Sequence, residues 1–244
     1  MSKRIKFFLG HLAVSVVIAL LVLSVVFFVW YPAPLAKAVG VTHIFLMLIA
    51  IDVIMGPMLS LLVYKEGKKT LKFDLTVIIL LQLSALGYGL HSIADGRPVW
   101  IVYSVDRFDL VKNNEIYPKH LDQAQAKYQQ PSWFAPQYAA TQFAQENKQR
   151  QQDMFDEILG GVDISQRPER YVELSKATAQ IQQRAQDLKT LNQFNDPKQV
   201  ADILAKYPQA TAFVPLKATA VDMTVLINKE KSTVVDVVDL RPWK

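Results

Sequence analysis

Three long apolar runs near the start of the chain constrain its fold more than any other feature. They cover residues about 7–31, 44–64 and 75–93. An α-helix needs roughly 20 apolar residues to cross a bilayer, and each run comes close to that length. We therefore predict a bundle of three transmembrane helices within residues 1–94.

The first run also allows a second interpretation, as a cleaved signal peptide. Ala36-Lys37-Ala38 offers small residues at the offsets that a cleavage site needs. However, the apolar core of a signal peptide spans only about 7–15 residues, and this run is much longer. It also closes on Trp30-Tyr31, a pair typical of the membrane interface. The prediction is a retained membrane anchor.

The distribution of charge orients the predicted bundle. Residues 1–94 carry eight basic and three acidic side chains, which accounts for the whole net charge of +5, whereas residues 95–244 are neutral. Seven of the eight basic residues lie near the N-terminus or in the loop at 65–72. The positive-inside rule places them in the cytoplasm, so three spans put residues 95–244 in the periplasm of a double-membrane bacterium. A neutral exterior part lacks the basic face that binds nucleic acid, so no nucleic-acid partner is expected.

Residues 95–244 predict a domain of the α+β class with one antiparallel sheet. Apolar, aromatic and β-branched residues on either side of Asp106-Arg107 indicate two strands. The end of the chain predicts three more, the last two joined by the hairpin turn Asn228–Ser232: Ala212–Val221, Met223–Ile227 and Thr233–Leu240.

The stretch between these strands, from Leu121 to about Leu191, is rich in helix-forming residues. The best predicted helix is Pro168–Phe194, because apolar residues recur there three to four positions apart: Tyr171, Leu174, Ala177 and Ile181. Asp196-Pro197 predicts a capped start for a short helix that runs to Tyr207.

Asp52 stands at the centre of the second run, where an aspartate costs about 2.5–3.5 kcal/mol on insertion scales. Gly56 and Ser60 follow at steps of four and share one helix face with it. Pro57 lacks an N–H and weakens the helix beside the acid. Either the docking of a partner helix or packing within the bundle explains such residues, and both interpretations stay open. With two polar residues of the third run, the candidates are Asp52, Gly56, Pro57, Ser60, Ser84 and Tyr88.

The sequence shows no pattern for catalytic, cofactor-binding or metal-binding residues. There is no cysteine, the four histidines are scattered, and neither a nucleophile elbow nor a phosphate-binding glycine loop occurs. An intramembrane aspartyl peptidase needs two carboxylates that share a proton. Only Asp52 is expected at mid-membrane, since Asp74 should lie at the cytoplasmic interface and cap the third helix.

Six segments carry a family resemblance through their order along the chain: Asp52–Ser60, Leu71–Leu75, Gln82–Gly89, Arg97–Trp100, Val105–Phe108 and Asp239–Trp243. Together they resemble the type IV pilin accessory proteins of the TfpX/TfpZ kind. The resemblance spans nearly the whole chain, and the central helical stretch is its least distinctive part. It implies a bacterial inner-membrane protein connected with type IV pilin or pilus biogenesis, in a family without assigned catalytic residues.

Two functions follow as hypotheses. The first is an accessory or assembly factor of the inner membrane that binds the major type IV pilin or other pilus assembly proteins. The second is a membrane-anchored enzyme that modifies pilin or an envelope substrate at the periplasmic face. The lack of a catalytic pattern favours the first, so we predict that the protein is not an enzyme, that it takes no cofactor, and that its partners are pilin and the lipid bilayer.

Overall fold

A computed structural model of the chain covers residues 1–244 and begins with three long helices. The helical elements of this part are α1 (Lys3–Val25), which continues as a wider helical turn over Val26–Trp30, the one-turn helix α2 (Leu35–Ala38), α3 (Val41–Val63) and α4 (Leu71–Asp95). All three long helices are long and apolar enough to cross a membrane. The predicted three-helix bundle is therefore confirmed, and each helix begins three or four residues before its apolar run.

The helices pack with α3 in contact with both α1 and α4. Phe45 and Ile49 of α3 are buried against Val26 at the end of α1 and Leu86 of α4. Most of the other large apolar side chains on these helices are exposed. That pattern suits helices surrounded by lipid, which is as apolar as the side chains themselves.

The rest of the chain forms one seven-stranded sheet with short helices around it. The strands are β1 (Pro98–Ser104), β2 (Arg107–Lys112), β3 (Gln137–Thr141), β4 (Tyr171–Val172), β5 (Ala212–Lys217), β6 (Met223–Asn228) and β7 (Thr233–Val238). The helices are α5 (Ala126–Gln129), α6 (Asn147–Gly160), α7 (Thr178–Arg184) and α8 (Pro197–Leu204). The α+β class is confirmed.

The strand order is β4-β3-β1-β2-β5-β6-β7, and the sheet is mixed. The pairs β1–β3 and β2–β5 are parallel, and the other four pairs are antiparallel. The prediction of an antiparallel sheet thus needs correction for these two pairs. Parallel neighbours require a crossover of a dozen or more residues, and the long segments that precede β3 and β5 supply it.

The strands expected at the two ends of the domain are present. β1 and β2 form a hairpin that turns at Val105-Asp106, and β5 to β7 match the three terminal strands, although β5 already ends at Lys217. α8 starts as predicted, because the Asp196 carboxylate accepts a hydrogen bond from the Gln199 N–H at 3.0 Å. It ends at Leu204, three residues before the predicted Tyr207.

The predicted helix Pro168–Phe194 is wrong. This segment consists of tight turns, the short strand β4 and the two-turn helix α7. Tyr171 packs beside Trp100 in one core, whereas Ile181 packs beside Tyr103 in another. Trp100 and Tyr103 point to opposite faces of β1, as strand alternation requires. The spacing of three to four residues therefore reflects burial on two faces of a sheet and not on one face of a helix.

The loop between the first two spans packs into the sheet domain. Leu35 and Ala38 of α2 are buried in the same core as Leu216 of β5 and Met223 of β6. The Ala38 carbonyl accepts hydrogen bonds from the N–H groups of Ala220, at 2.9 Å, and Val221, at 3.1 Å. The junction between bundle and sheet is thus a packed interface and not only a covalent link.

Gly40 makes this close approach possible. Its φ is +76°, a left-handed conformation that residues with a Cβ rarely adopt. A Cβ at this position would also lie 3.0 Å from the Cβ of Ala220. On the other side of the loop, the Tyr31 hydroxyl donates to the Ile93 carbonyl at 2.6 Å and ties the end of the first span to α4.

Candidate functional site

A chain of polar side chains runs across the centre of the helix bundle. We call it the polar seam, and its members are His11 and Ser15 of α1, Asp52 and Ser60 of α3, and Gln82 of α4. His11 Nδ1 lies 2.8 Å from Ser60 Oγ, and His11 Nε2 lies 3.0 Å from Gln82 Oε1. The Gln82 amide N–H groups donate to Ser15 Oγ at 3.0 Å and to the Asp52 carbonyl at 3.2 Å. A weaker contact of 3.5 Å joins Gln82 Nε2 to the Asp52 carboxyl.

The chemistry of these groups assigns the tautomer of His11. Gln82 Oε1 accepts hydrogen bonds and cannot donate, so the neighbouring Nε2 of His11 carries the proton. In the neutral imidazole Nδ1 is then the acceptor, and the Ser60 hydroxyl donates to it. The seam forms a continuous path of hydrogen bonds from α3 through α1 to α4, which satisfies polar groups that hydrocarbon would leave unpaired.

Gly56 makes room for the seam. A Cβ on Gly56 would lie 1.8 Å from Gln82 Oε1 and 2.4 Å from Gln82 Cδ. Gly56 and Pro57 are both buried, and Ser60, one turn further on, is fully buried. The amide of Gln82 therefore occupies the space above Gly56 that any side chain would fill.

The structure separates the six candidate residues into two groups. Asp52, Gly56, Pro57 and Ser60 lie on or beside the seam inside the bundle, and Asp52 is half-buried. Ser84 and Tyr88 lie one turn apart on the exposed face of α4, and the Tyr88 side chain is 76% exposed.

His11 and Gln82 are the central seam residues that sequence reasoning missed. The signal was present, since each is a polar interruption of an apolar run. Which partners they meet depends on the relative rotation and height of three helices, which no single run specifies.

The second feature is α6, an amphipathic helix with its apolar side outward. None of its residues is buried. We call its outward surface the α6 face, formed by Met154, Phe155, Ile158 and Leu159, and the last two are 71% and 81% exposed. A groove of about 480 Å³ lies beside it, between Phe143, Met154 and Ile164.

Ion pairs hold the polar side of α6 against the domain. Arg167, with its side chain 1% exposed, donates to Asp153 and Asp156 at 3.1 Å each. Arg170 binds Asp153 through two nitrogens, at 2.6 and 2.9 Å. The hydrogen bond from Arg167 lowers the pKa of the Asp156 carboxyl below its ordinary value. These contacts determine which side of α6 faces outward.

Asp74 and the other three histidines lie apart from the polar seam. Asp74 lies in the first turn of α4, where it pairs with Lys68 at 2.7 Å and accepts a hydrogen bond from Thr70 at 3.1 Å, far from Asp52. His43 and His91 are exposed, and His120 contacts Gln123 at the surface. No three of the histidines and carboxylates are arranged to hold a metal ion.

Comparison with known proteins places this architecture in a family. The family model described as fimbrial assembly protein FimB matches residues 1–40. A fimbrial assembly protein of serogroup E1 from Dichelobacter nodosus is 28% identical over 90% of this chain and 88% of its own length. The serogroup I protein of the same organism is 31% identical over 73% of this chain and 70% of its own length. A third, from serogroups C1 and C2, is 34% identical over 47% of this chain and 88% of its own.

No solved structure matches the chain. The relatives confirm the resemblance to type IV pilus accessory proteins that the ordered segments of the sequence indicated. With 31% identity to a relative of which it covers 70%, the chain belongs to the fimbrial assembly protein family.

Proposed function

We propose that this protein is an accessory factor of the inner membrane that assists type IV pilus assembly by binding pilin, without catalysing a reaction. Its relatives carry the name fimbrial assembly protein, and they align with most of the chain. Three helices able to cross a membrane support an anchored factor. In this proposal residues 1–94 form the membrane domain and residues 95–244 form the domain on the periplasmic side.

The two groups of candidate residues receive different roles. Asp52, Gly56, Pro57 and Ser60 pack the bundle, because their contacts are directed to α1 and α4. Ser84 and Tyr88 are free to meet a partner helix, since both lie on an exposed face of α4. A hydroxyl and a phenol at one-turn spacing offer hydrogen bonds that lipid tails do not satisfy, which favours a helical partner.

The observation that carries the proposal is the α6 face. Large exposed apolar patches on protein surfaces mark sites of interaction. Partly buried ion pairs fix this helix with its apolar side outward, so the exposure of that side is part of the folded state. We assign the α6 face to the globular part of pilin, while the exposed side of α4 meets the apolar helix of pilin.

In-cell photo-cross-linking tests this assignment. A photoreactive phenylalanine analogue at Ile158 should capture pilin, whereas the same analogue at Lys229, in the exposed turn between β6 and β7, should not. Deletion of the gene is expected to lower surface piliation. A deletion strain with normal piliation, together with no pilin captured from Ile158 or Tyr88, would contradict the proposal.

A matched pair of charge variants separates the apolar surface from general effects of charge. Leu159→Glu adds one negative charge and removes an apolar side chain that is 81% exposed. Gln183→Glu adds the same charge at an exposed position of α7. Leu159→Glu should reduce pilin capture several-fold at unchanged protein level, and Gln183→Glu should leave it near normal. Equal loss in both variants would show that charge and not apolar contact governs binding.

A further inference from the structure

Two large aromatic side chains stand exposed on a short loop before β3. The loop runs from Pro131 to Pro136, and we call it the aromatic loop. Trp133 is 64% exposed and Phe134 is 72% exposed. Ser132 Oγ accepts a hydrogen bond from the Phe134 N–H at 3.0 Å, which holds the tip of the loop in a turn. The loop contains no charged residue.

Arg97 attaches this loop to the end of the third membrane helix. Its guanidinium donates to the carbonyl of Ala94, in the last turn of α4, at 2.6 Å. The same group donates to the Ser132 carbonyl at 3.4 Å, and its central carbon lies 4.4 Å from the centre of the Trp133 ring. Arg97 is only 3% exposed. The aromatic loop therefore lies directly beside the point where α4 ends.

The register of the sheet also places the aromatic loop at the level where α4 ends. β1 starts three residues after α4, so the first residues of β1 lie at the end of the sheet nearest the bundle. β3 runs parallel to β1, with Gln137 opposite Trp100. The residues before Gln137 are therefore at the end of the sheet that faces the helices. The contacts of Arg97 and the register of β3 therefore give, independently of each other, the same position for the aromatic loop.

We propose that the aromatic loop inserts into the interfacial region of the lipid bilayer that α4 spans. Tryptophan is enriched at membrane–water interfaces, where its apolar ring is buried and its N–H stays hydrated. α4 ends beside the loop, and large apolar side chains such as Leu80 and Leu83 are exposed on the part of α4 that would lie in lipid. An uncharged loop with two exposed aromatic rings matches the lipid headgroup boundary.

This insertion provides the sheet domain with an attachment to the membrane besides its covalent links. The domain is already joined to the bundle at α2 and at the end of α4. A bilayer-embedded loop adjacent to Arg97 restricts tilting of the domain, and so sets the orientation in which the α6 face is presented. The inference requires that α4 crosses a membrane, and it holds whether or not the partner of α6 is pilin.

Spin labels on single cysteines test the proposal, because the chain has no cysteine of its own. Three variants of the full chain are labelled and reconstituted into vesicles of phosphatidylethanolamine and phosphatidylglycerol: Phe134→Cys, Leu80→Cys and Lys229→Cys. Oxygen concentrates in lipid and a nickel chelate stays in water, so the ratio of their collision rates with the label reports depth. Phe134 is 72% exposed, so its replacement leaves the core intact.

The label at Phe134 should show an oxygen-to-nickel ratio several-fold above that at Lys229 and below that at Leu80. A ratio equal to that at Lys229, with Leu80 in lipid, overturns the proposal, because it shows that the loop lies in water. A water-exposed label at Leu80 would instead contradict the membrane-spanning role of α4. These vesicles contain no other protein, so a raised ratio at Phe134 reports contact with lipid and not with pilin.

Discussion

At the scale of single residues, Asp109 of β2 is the clearest ionisable group in an unfavourable environment. It is 6% exposed, and its Oδ1 accepts a hydrogen bond from Arg107 Nε at 3.1 Å. Its Oδ2 has no hydrogen-bond partner. Burial raises the pKa of the Asp109 carboxyl from 3.8 to about 6, although the nearby Arg107 partly opposes this shift. The folded state therefore prefers the protonated acid.

The sign of the resulting pH dependence follows from the raised pKa. Protonated Asp109 favours folding below the unfolded pKa, and this contribution is lost as pH rises through the folded pKa of about 6. Between pH 4 and 7 the wild-type chain should lose about 2–3 kcal/mol of stability relative to Asp109→Asn, since one pKa unit corresponds to about 1.4 kcal/mol. Urea unfolding of both full-length proteins in detergent across this pH range measures the difference. A difference that does not change with pH would show that Asp109 titrates normally.

At the scale of secondary-structure elements, the packing of α1, α3 and α4 depends on one amide side chain. Gln82 reaches His11, Ser15 and Asp52, and it fills the space above Gly56. Hydrogen bonds between membrane helices contribute about 0.6–2 kcal/mol each, so their loss at one residue is measurable. The hydrogen bonds of the seam therefore depend on the space that Gly56 leaves for the Gln82 amide.

A double-mutant cycle tests this coupling. Gly56→Ala should displace the Gln82 amide and cost about 1–2 kcal/mol, similar to Gln82→Ala, because both changes remove the same hydrogen bonds. The double variant should cost little more than either single one, since residues in contact are not additive. Thermal or SDS-induced unfolding in bicelles provides the stabilities. Strictly additive losses would mean that Gly56 and Gln82 do not interact.

At the scale of the whole molecule, the packing of α2 fixes the position of the sheet domain relative to the helix bundle. Ala38 is fully buried, and Lys37 Nζ lies 2.6 Å from Asp239 Oδ2 near the end of the chain. When all three helices cross a membrane, this packing requires the loop between the first two spans to lie on the same side as the sheet domain. This contact supports an odd number of spans independently of the distribution of basic residues.

Reporter fusions test the topology. Alkaline phosphatase, which is active only in the periplasm, should be active when fused after Lys244 and inactive when fused after Lys69. A membrane-impermeant maleimide should label Lys37→Cys and Lys229→Cys from the periplasmic side, and Lys69→Cys only after the inner membrane is permeabilised. Labelling of Lys37 and Lys229 from opposite sides would contradict the packing of α2 against the sheet.

Features that depend on one continuous segment were predictable from the sequence. The three spans follow from the length of apolar runs, because the thickness of the bilayer sets the number of helical residues. The β1–β2 hairpin and the terminal strands follow from local composition, and the start of α8 follows from Asp196 followed by proline. In each case the determining interactions lie within the segment itself.

Tertiary structure alone decided how separate segments meet. Gln82 and His11 are polar residues in apolar runs, and only the rotation of three helices brings them within 3.0 Å of each other. Tyr171 and Ile181 follow a helical spacing although they are buried against opposite faces of β1, beside Trp100 and Tyr103 respectively. α6 directs its apolar side outward because Arg167 and Arg170, which follow it in the chain, bind its carboxylates. Local sequence patterns indicate how much apolar surface each segment buries. Hydrogen bonds and ion pairs between segments determine which neighbour covers that surface.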